Sequence, residues 1–156
     1  MLSAFCFEDA GRAYGISPVL LENIAKVESN LNPKAMHKNY NGSYDIGLMQ
    51  INSFWIKIFN LNTDELLNNP CANTMVGAHV LRQCIDKHGY TWEAVGCYNA
   101  MNRGKRINYA WKVFSKLKEE GDKQTASNQR PAVRIQNPSL FFSVRDEAEV
   151  DRGIIP

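Results

Sequence analysis

The chain has 156 residues, enough for one domain with a substantial core and too few for two comfortable ones. Its 18 basic and 16 acidic side chains leave a net charge of +2, which is not the signature of a nucleic-acid binder. The charge is uneven: residues 1–118 carry 13 basic and 9 acidic side chains, and residues 119–156 carry 5 and 7, so a mildly basic body would tolerate a polyanionic polymer.

Met1-Leu2-Ser3-Ala4-Phe5 reads like the end of a signal peptide with a start codon restored, so a mature exported protein is expected. Phe5, Cys6, Ala10, Ala13 and Tyr14 fall near helical spacing, with Gly15 as the stop. Ser17-Pro18 then reads as an N-cap followed by proline in the first helical position. The helix that follows runs to about Ser29 with Leu20, Leu21, Ile24, Ala25 and Val27 as its apolar stripe. Glu28 lies on the same face as Leu21 and Ile24. Burial of a carboxyl there raises its pKa, as a general acid working near neutrality requires. The alternative is a glutamate at a fraying helix end whose side chain reaches water.

From Asn30 to Tyr44 there is no periodicity, and Asn32-Pro33, Asn39, Asn41-Gly42 and Ser43 predict a turn-rich loop that could line a cleft. Asp45 closes it and, on position alone, is an ordinary solvated aspartate. Two carboxylates flanking a polar loop, one in an apolar setting and one in a wet one, suit acid-assisted cleavage of a glycosidic bond. Gly47 to Phe59 predicts a helix on Leu48, Ile51, Trp55, Ile58 and Phe59, although Ile46 to Ile51 alone also fits a strand. Gln50 within that apolar run needs a backbone or ligand partner.

Thr63 to Leu67 predicts a short capped helix, and Asn69-Pro70 starts a longer one through about Lys87, ended by Gly89. Its Met75, Ala78, His79, Leu81 and Ile85 face is core-like, with His79 a core or boundary histidine rather than a ligand. Thr91 caps a helix from Trp92 to about Ala100, where Tyr98 and Asn99 are, bottom-up, no more than helix-end residues. A basic loop, Asn102 to Arg106, leads to a last helix with Ile107, Ala110, Trp111, Phe114 and Leu117 as its packed stripe and Gly121 as its end. Residues 121–156 are expected to form a mostly disordered polar and acidic tail after a single domain over 1–120. Leu140-Phe141-Phe142 in that tail could dock on the body or on a partner, or be inert. No run of about 20 apolar residues is present to span a membrane.

The cysteines are Cys6, Cys71, Cys84 and Cys97. There is no CxxC pair, and His37, His79 and His88 do not stand at metal-ligand spacing, so no metal site is expected. An even count without such spacing favours two disulfides in an oxidising compartment; four buried reduced thiols are the alternative. Cys84 and Cys97 can face each other across a helical hairpin, which leaves Cys6 with Cys71.

Four ordered motifs carry a resemblance over about residues 5–118: Glu28-Ser29-Asn30-Leu31-Asn32-Pro33 with Ala35, Gly47-Leu48-Met49-Gln50-Ile51-Asn52, Asn69-Pro70-Cys71 with Gly77-Ala78 and Leu81, and Trp92-Glu93-Ala94-Val95 running into Tyr98-Asn99-Ala100. With them the chain resembles the SLT lytic transglycosylase domain of the lysozyme-like superfamily, and within it the small type III secretion-associated IagB/IpgF-like group. The resemblance implies a mainly α, goose-type lysozyme-like helical domain with a cleft. It implies a periplasmic enzyme, without cofactor, that acts on peptidoglycan glycan strands and opens the wall for a secretion apparatus. A secretion-system structural protein is a candidate partner, and a monomer is expected.

In that pattern Glu28 matches the single catalytic acid. It would protonate the bond between N-acetylmuramic acid and N-acetylglucosamine and then act as base toward the muramyl 6-hydroxyl, giving a 1,6-anhydro product. Gln50, Tyr98 and Asn99 match residues that line the site, and Ser29 and Met49 match substrate-side motif positions near it. Two departures stand out. Asp45 looks like the aspartate of animal-type lysozymes and supports a muramidase-type hydrolase as the alternative; Met101 replaces the usual glycine after Tyr-Asn-Ala. A non-catalytic wall-binding assembly protein is the rival from outside the enzymes.

Overall fold

A glycine closes the first helix and a serine opens the second, as the local sequence predicts. The structure, a computed structural model, describes residues 5–127. Phe7–Tyr14 forms α1, and Gly15 ends it in the left-handed region at φ 63°. Pro18–Ser29 forms α2, with the Ser17 hydroxyl accepting from the Leu20 N–H and Pro18 in the first turn. Leu21, Ile24 and Ala25 are fully buried, so α2 runs through the core and delivers Glu28 at its last turn.

The segment after α2 departs from the expected loop-then-helix. Met36–Lys38 (β1), Tyr44–Ile46 (β2) and Ile51–Asn52 (β3) make an antiparallel sheet in the order β1-β2-β3. Asp45 stands opposite His37 on one side and Asn52 on the other. The helix expected over Gly47 to Phe59 is confined to α3, Ser53–Ile58, and the strand alternative holds only at Ile46 and Ile51, which pair across the turn. The cause lies in the backbone: Gly47 sits at φ 78° and Gln50 at φ 48°, both outside the helical region. A Cβ on Gly47 would fall 2.2 Å from the Asn73 side-chain nitrogen and 3.2 Å from the Leu66 carbonyl, so the turn needs glycine twice over.

Thr63–Asn68 forms α4, Pro70–His88 forms α5 and Trp92–Asn99 forms α6, capped by Asn62, Asn69 and Thr91 side chains. Cys6 bonds Cys71, tying the start of α1 to the first turn of α5, and Cys84 bonds Cys97 across α5 and α6. No free cysteine is found among the described residues. His79 is half-buried, with its ring edge-on to Tyr14 and Phe59, a boundary histidine as expected.

Arg103–Ser127 forms α7, and here two expectations fail. Gly121 does not end the helix: no other group lies within 4 Å of where its Cβ would be, and a lone glycine among helix formers costs only about 1 kcal/mol. The Glu120 carboxylate also holds this stretch against α2, accepting from Lys26 at 2.5 Å and from Asn23 at 3.1 Å. The tail beyond Ser127 lies outside the described residues. The second failure is rotational. Tyr109, Ala110 and Val113 are the buried face, whereas Ile107 is 50% and Trp111 62% exposed. A Cβ on Gly96 of α6 would lie 2.5 Å from the Arg106 carbonyl; that close approach of α6 to the α7 backbone sets which face turns inward. No helix among the described residues is long and apolar enough to cross a membrane.

Candidate active site

The inward face of α7 matters because Tyr109 reaches Glu28. Its phenol donates to Glu28 Oε1 at 2.5 Å, bridging the end of α2 and the second turn of α7. Glu28 Oε2 has no hydrogen-bond partner among the described residues. Burial pushes the Glu28 carboxyl from its ordinary 4.5 up to about 7; the Tyr109 hydrogen bond pulls it down, the Asp45 carboxylate pushes it further up and the Lys112 ammonium pulls it down. The acid is therefore protonated in a sizeable fraction of molecules at neutral pH. Burial raises both the Tyr98 and Tyr109 phenols well above their ordinary value, with Glu28 pushing the same way, so both remain neutral donors.

The second carboxylate is built by the sheet. Asp45, half-buried on β2, accepts from Asn52 Nδ2 at 2.7 Å and from Asn39 Nδ2 at 2.8 Å. Asn52 comes from β3 and Asn39 from the β1–β2 turn, so the sheet aims this carboxylate from both sides. The segment read as a turn-rich loop thus positions Asp45 more firmly than a loop would.

The other motif residues are arranged around the 47–50 turn. Gln50 Nε2 donates to the Gly47 carbonyl at 2.9 Å and to the Ala35 carbonyl at 3.2 Å, satisfying its amide through backbone. Tyr98 donates to the Met49 carbonyl at 2.7 Å. The Met49 side chain is fully buried against Gly77, so Met49 meets the site through its backbone and offers no thioether to a substrate. Ser29 Oγ donates to the Leu48 carbonyl at 2.7 Å and so clamps the α2 end to the same turn. Asn99 ends α6 and is exposed. Glu28, Asp45 and Tyr98 share one electrostatic environment, and Gln50, Ser29 and Met49 shape the turn beside it.

Sequence reasoning missed four contributors. Tyr109 was hidden by the choice of the 107/110/111/114/117 stripe; the competing i, i+4 pair Tyr109 and Val113 was the signal. Asn39 and Asn52 carry only a turn signal and a motif position in the sequence, neither of which points to Asp45. Asn73 had no signal at all: it is fully buried, accepts from the Met49 N–H and donates to the Ile46 and Leu66 carbonyls. Among the described residues no group of His, Cys, Asp and Glu is arranged to hold a metal ion.

Comparison with known proteins matches the family model described as "Transglycosylase SLT domain" over residues 5–122. The chain is 37% identical to "Invasion protein IagB" of Salmonella typhi over 142 residues, covering 85% of this chain and 88% of that protein. It is 33% identical to "Protein IpgF" of Shigella flexneri over 134 residues, covering 81% and 88%. It is also 39% identical to a "Peptidoglycan-binding-like protein" of Escherichia coli O157:H7 over 126 residues, covering 72% and 75%.

Proposed function

This chain belongs to the transglycosylase SLT family, a family of lytic transglycosylases that act on the cell wall, and on that premise we propose that it splits the bond between N-acetylmuramic acid and N-acetylglucosamine with Glu28 as its single acid and base. The observation that carries this reading is the Glu28 carboxyl, lifted to about 7 by burial and anchored through Oε1 to Tyr109 with Oε2 left unbonded. Glu28 donates its proton to the glycosidic oxygen, and the C1–O4 bond breaks with its electron pair leaving on that oxygen. The muramyl C6 hydroxyl then attacks C1 while its proton passes back to the Glu28 carboxylate. No water is consumed, the product is a 1,6-anhydro sugar, and the acid is regenerated. Asp45, held by Asn39 and Asn52, stabilises the positive charge that develops at C1. Gln50, Tyr98 and Asn99 border the substrate. On this reading residues 1–120 carry the catalytic domain, the last turns of α7 and the residues beyond it form an appendage, and the enzyme works in the periplasm, opening the wall locally for a secretion apparatus. Its likeness to the invasion protein supports that setting.

One observation favours a second reading. A carboxylate clamped by two amides and electrostatically coupled to the acid is also what a muramidase needs, with Asp45 as nucleophile and water as the final acceptor. Mass spectrometry of muropeptides released from purified peptidoglycan decides between them. Anhydro products that vanish in Glu28→Gln support the transglycosylase; reducing-end products that vanish in Asp45→Asn support the hydrolase.

A further inference from the structure

The rotation of α7 leaves a second apolar face without a partner among the described residues. Ile107, Trp111 and Phe114, with Trp92 of α6, line a groove of about 520 Å³. Trp92 and Trp111 both meet Phe114 edge-on with ring centroids 5.5 Å away, so the groove is preformed by packed rings. It lies on the far side of α7 from the Tyr109 and Val113 face and takes no part in the chemistry above. One end is basic. Arg103, Arg106 and Glu93 line it: Arg106 spends its guanidinium on the Ala100 carbonyl and Glu93, whereas Arg103 forms no ion pair among the described residues. Arg103 stands in the first turn of α7, where the helix dipole adds further positive potential.

We propose that the occupant of this groove is the chain's own C-terminal segment, with Leu140-Phe141-Phe142 seated on Trp111 and Phe114 and the acidic run Asp146 to Asp151 against Arg103. Three features of the chain fit this occupant. The segment carries an apolar triplet and then four carboxylates, Asp146, Glu147, Glu149 and Asp151, which outnumber the flanking Arg145 and Arg152 and follow the triplet in the order that matches the groove read backward along α7. The reach suffices: from Trp111 to the end of α7 at Ser127 is about 24 Å of helix, and residues 128–139 span up to about 40 Å when extended. The register also closes, because four residues from Phe142 to Asp146 cover about 13 Å and Trp111 to Arg103 covers about 12 Å of helix.

The test uses the full chain with Phe141 replaced by p-benzoylphenylalanine, irradiated at low micromolar concentration and mapped by mass spectrometry. An intramolecular cross-link to the peptide containing Ile107 to Phe114 is expected. Its yield should fall about five-fold or more in Arg103→Glu and recover when Asp146→Lys/Glu147→Lys/Glu149→Lys is added. Cross-links only between molecules would make a second copy the occupant and overturn the proposal. Links elsewhere on the chain, no link to the 107–114 peptide, or a yield that ignores both charge sets would overturn it equally. The altered groove position, Arg103, is exposed, so the fold is not at stake.

Discussion

Tyr109 and Glu28, 81 residues apart in sequence, are joined by a hydrogen bond that fixes one oxygen of the Glu28 carboxyl and leaves the other without a partner among the described residues. The bond also tunes the acid, since it pulls the Glu28 carboxyl down against the upward push of burial. Asp45 works in the opposite sense.

Two variants should therefore displace the alkaline limb of kcat/KM in opposite directions. The acid must be protonated to act, so wild-type activity falls as pH rises through about 7. Tyr109→Phe removes a bond to the charged form and should move the limb to higher pH while lowering kcat about ten-fold or more through lost positioning. Asp45→Asn removes a like charge and should move it to lower pH. Limbs that stay fixed in both variants would detach Glu28 from the rate.

Glu28 should also cost the protein stability. Its folded value of about 7 exceeds the ordinary 4.5, so the unfolded chain sheds this proton first as pH rises. Stability from this group is full below about pH 4.5 and is lost through the window up to about 7, on the order of 3 kcal/mol. Glu28→Gln keeps an acceptor for Tyr109 and carries no charge. It should raise Tm by several degrees at about pH 8 and leave it nearly unchanged at about pH 4; thermal unfolding followed by circular dichroism at both pH values checks this.

Asn73 is the keystone of the 46–49 turn, and Asn73→Ala should cost about 2–4 kcal/mol. It strands a buried Met49 N–H and removes the donor to the Ile46 and Leu66 carbonyls. Activity in the surviving folded fraction should drop too, because Tyr98 bonds the Met49 carbonyl in the same turn. Denaturant unfolding with a parallel activity assay measures both, and a loss below about 1 kcal/mol would show that water replaces the amide.

The two disulfides should differ in worth. Cys6–Cys71 closes a separation of 65 residues and Cys84–Cys97 one of 13. On loop entropy the paired alanine replacements should cost about 4 and about 3 kcal/mol respectively, read as a difference in urea midpoint. The reverse order would mean that the α5–α6 hairpin depends on its cross-link for packing rather than for chain entropy.

Local signals were legible from the residues alone. Ser17-Pro18, Asn69-Pro70, Thr91, Gly15 and Gly89 mark helix ends because capping needs only neighbours within four residues. Glu28 could be placed on the inner face of α2 for the same reason, since helical spacing to Leu21 and Ile24 is a property of the segment itself. The cysteine pairing followed once the helices around it were in place. What required the tertiary structure were the arrangements that pair distant segments. The short strands carry no periodicity long enough to read, and the turn between β2 and β3 is held by Asn73 of α5, which donates to the Ile46 carbonyl and accepts from the Met49 N–H. The rotation of α7 is decided by the approach of Gly96 to the Arg106 backbone, a contact between helices to which neither sequence pattern refers. That rotation brings Tyr109 to the acid and turns Trp111 outward. The placement of Glu28 on the inner face of α2 was thus local information, while its partner, its tuning and the apolar groove behind it depend on how the helices pack.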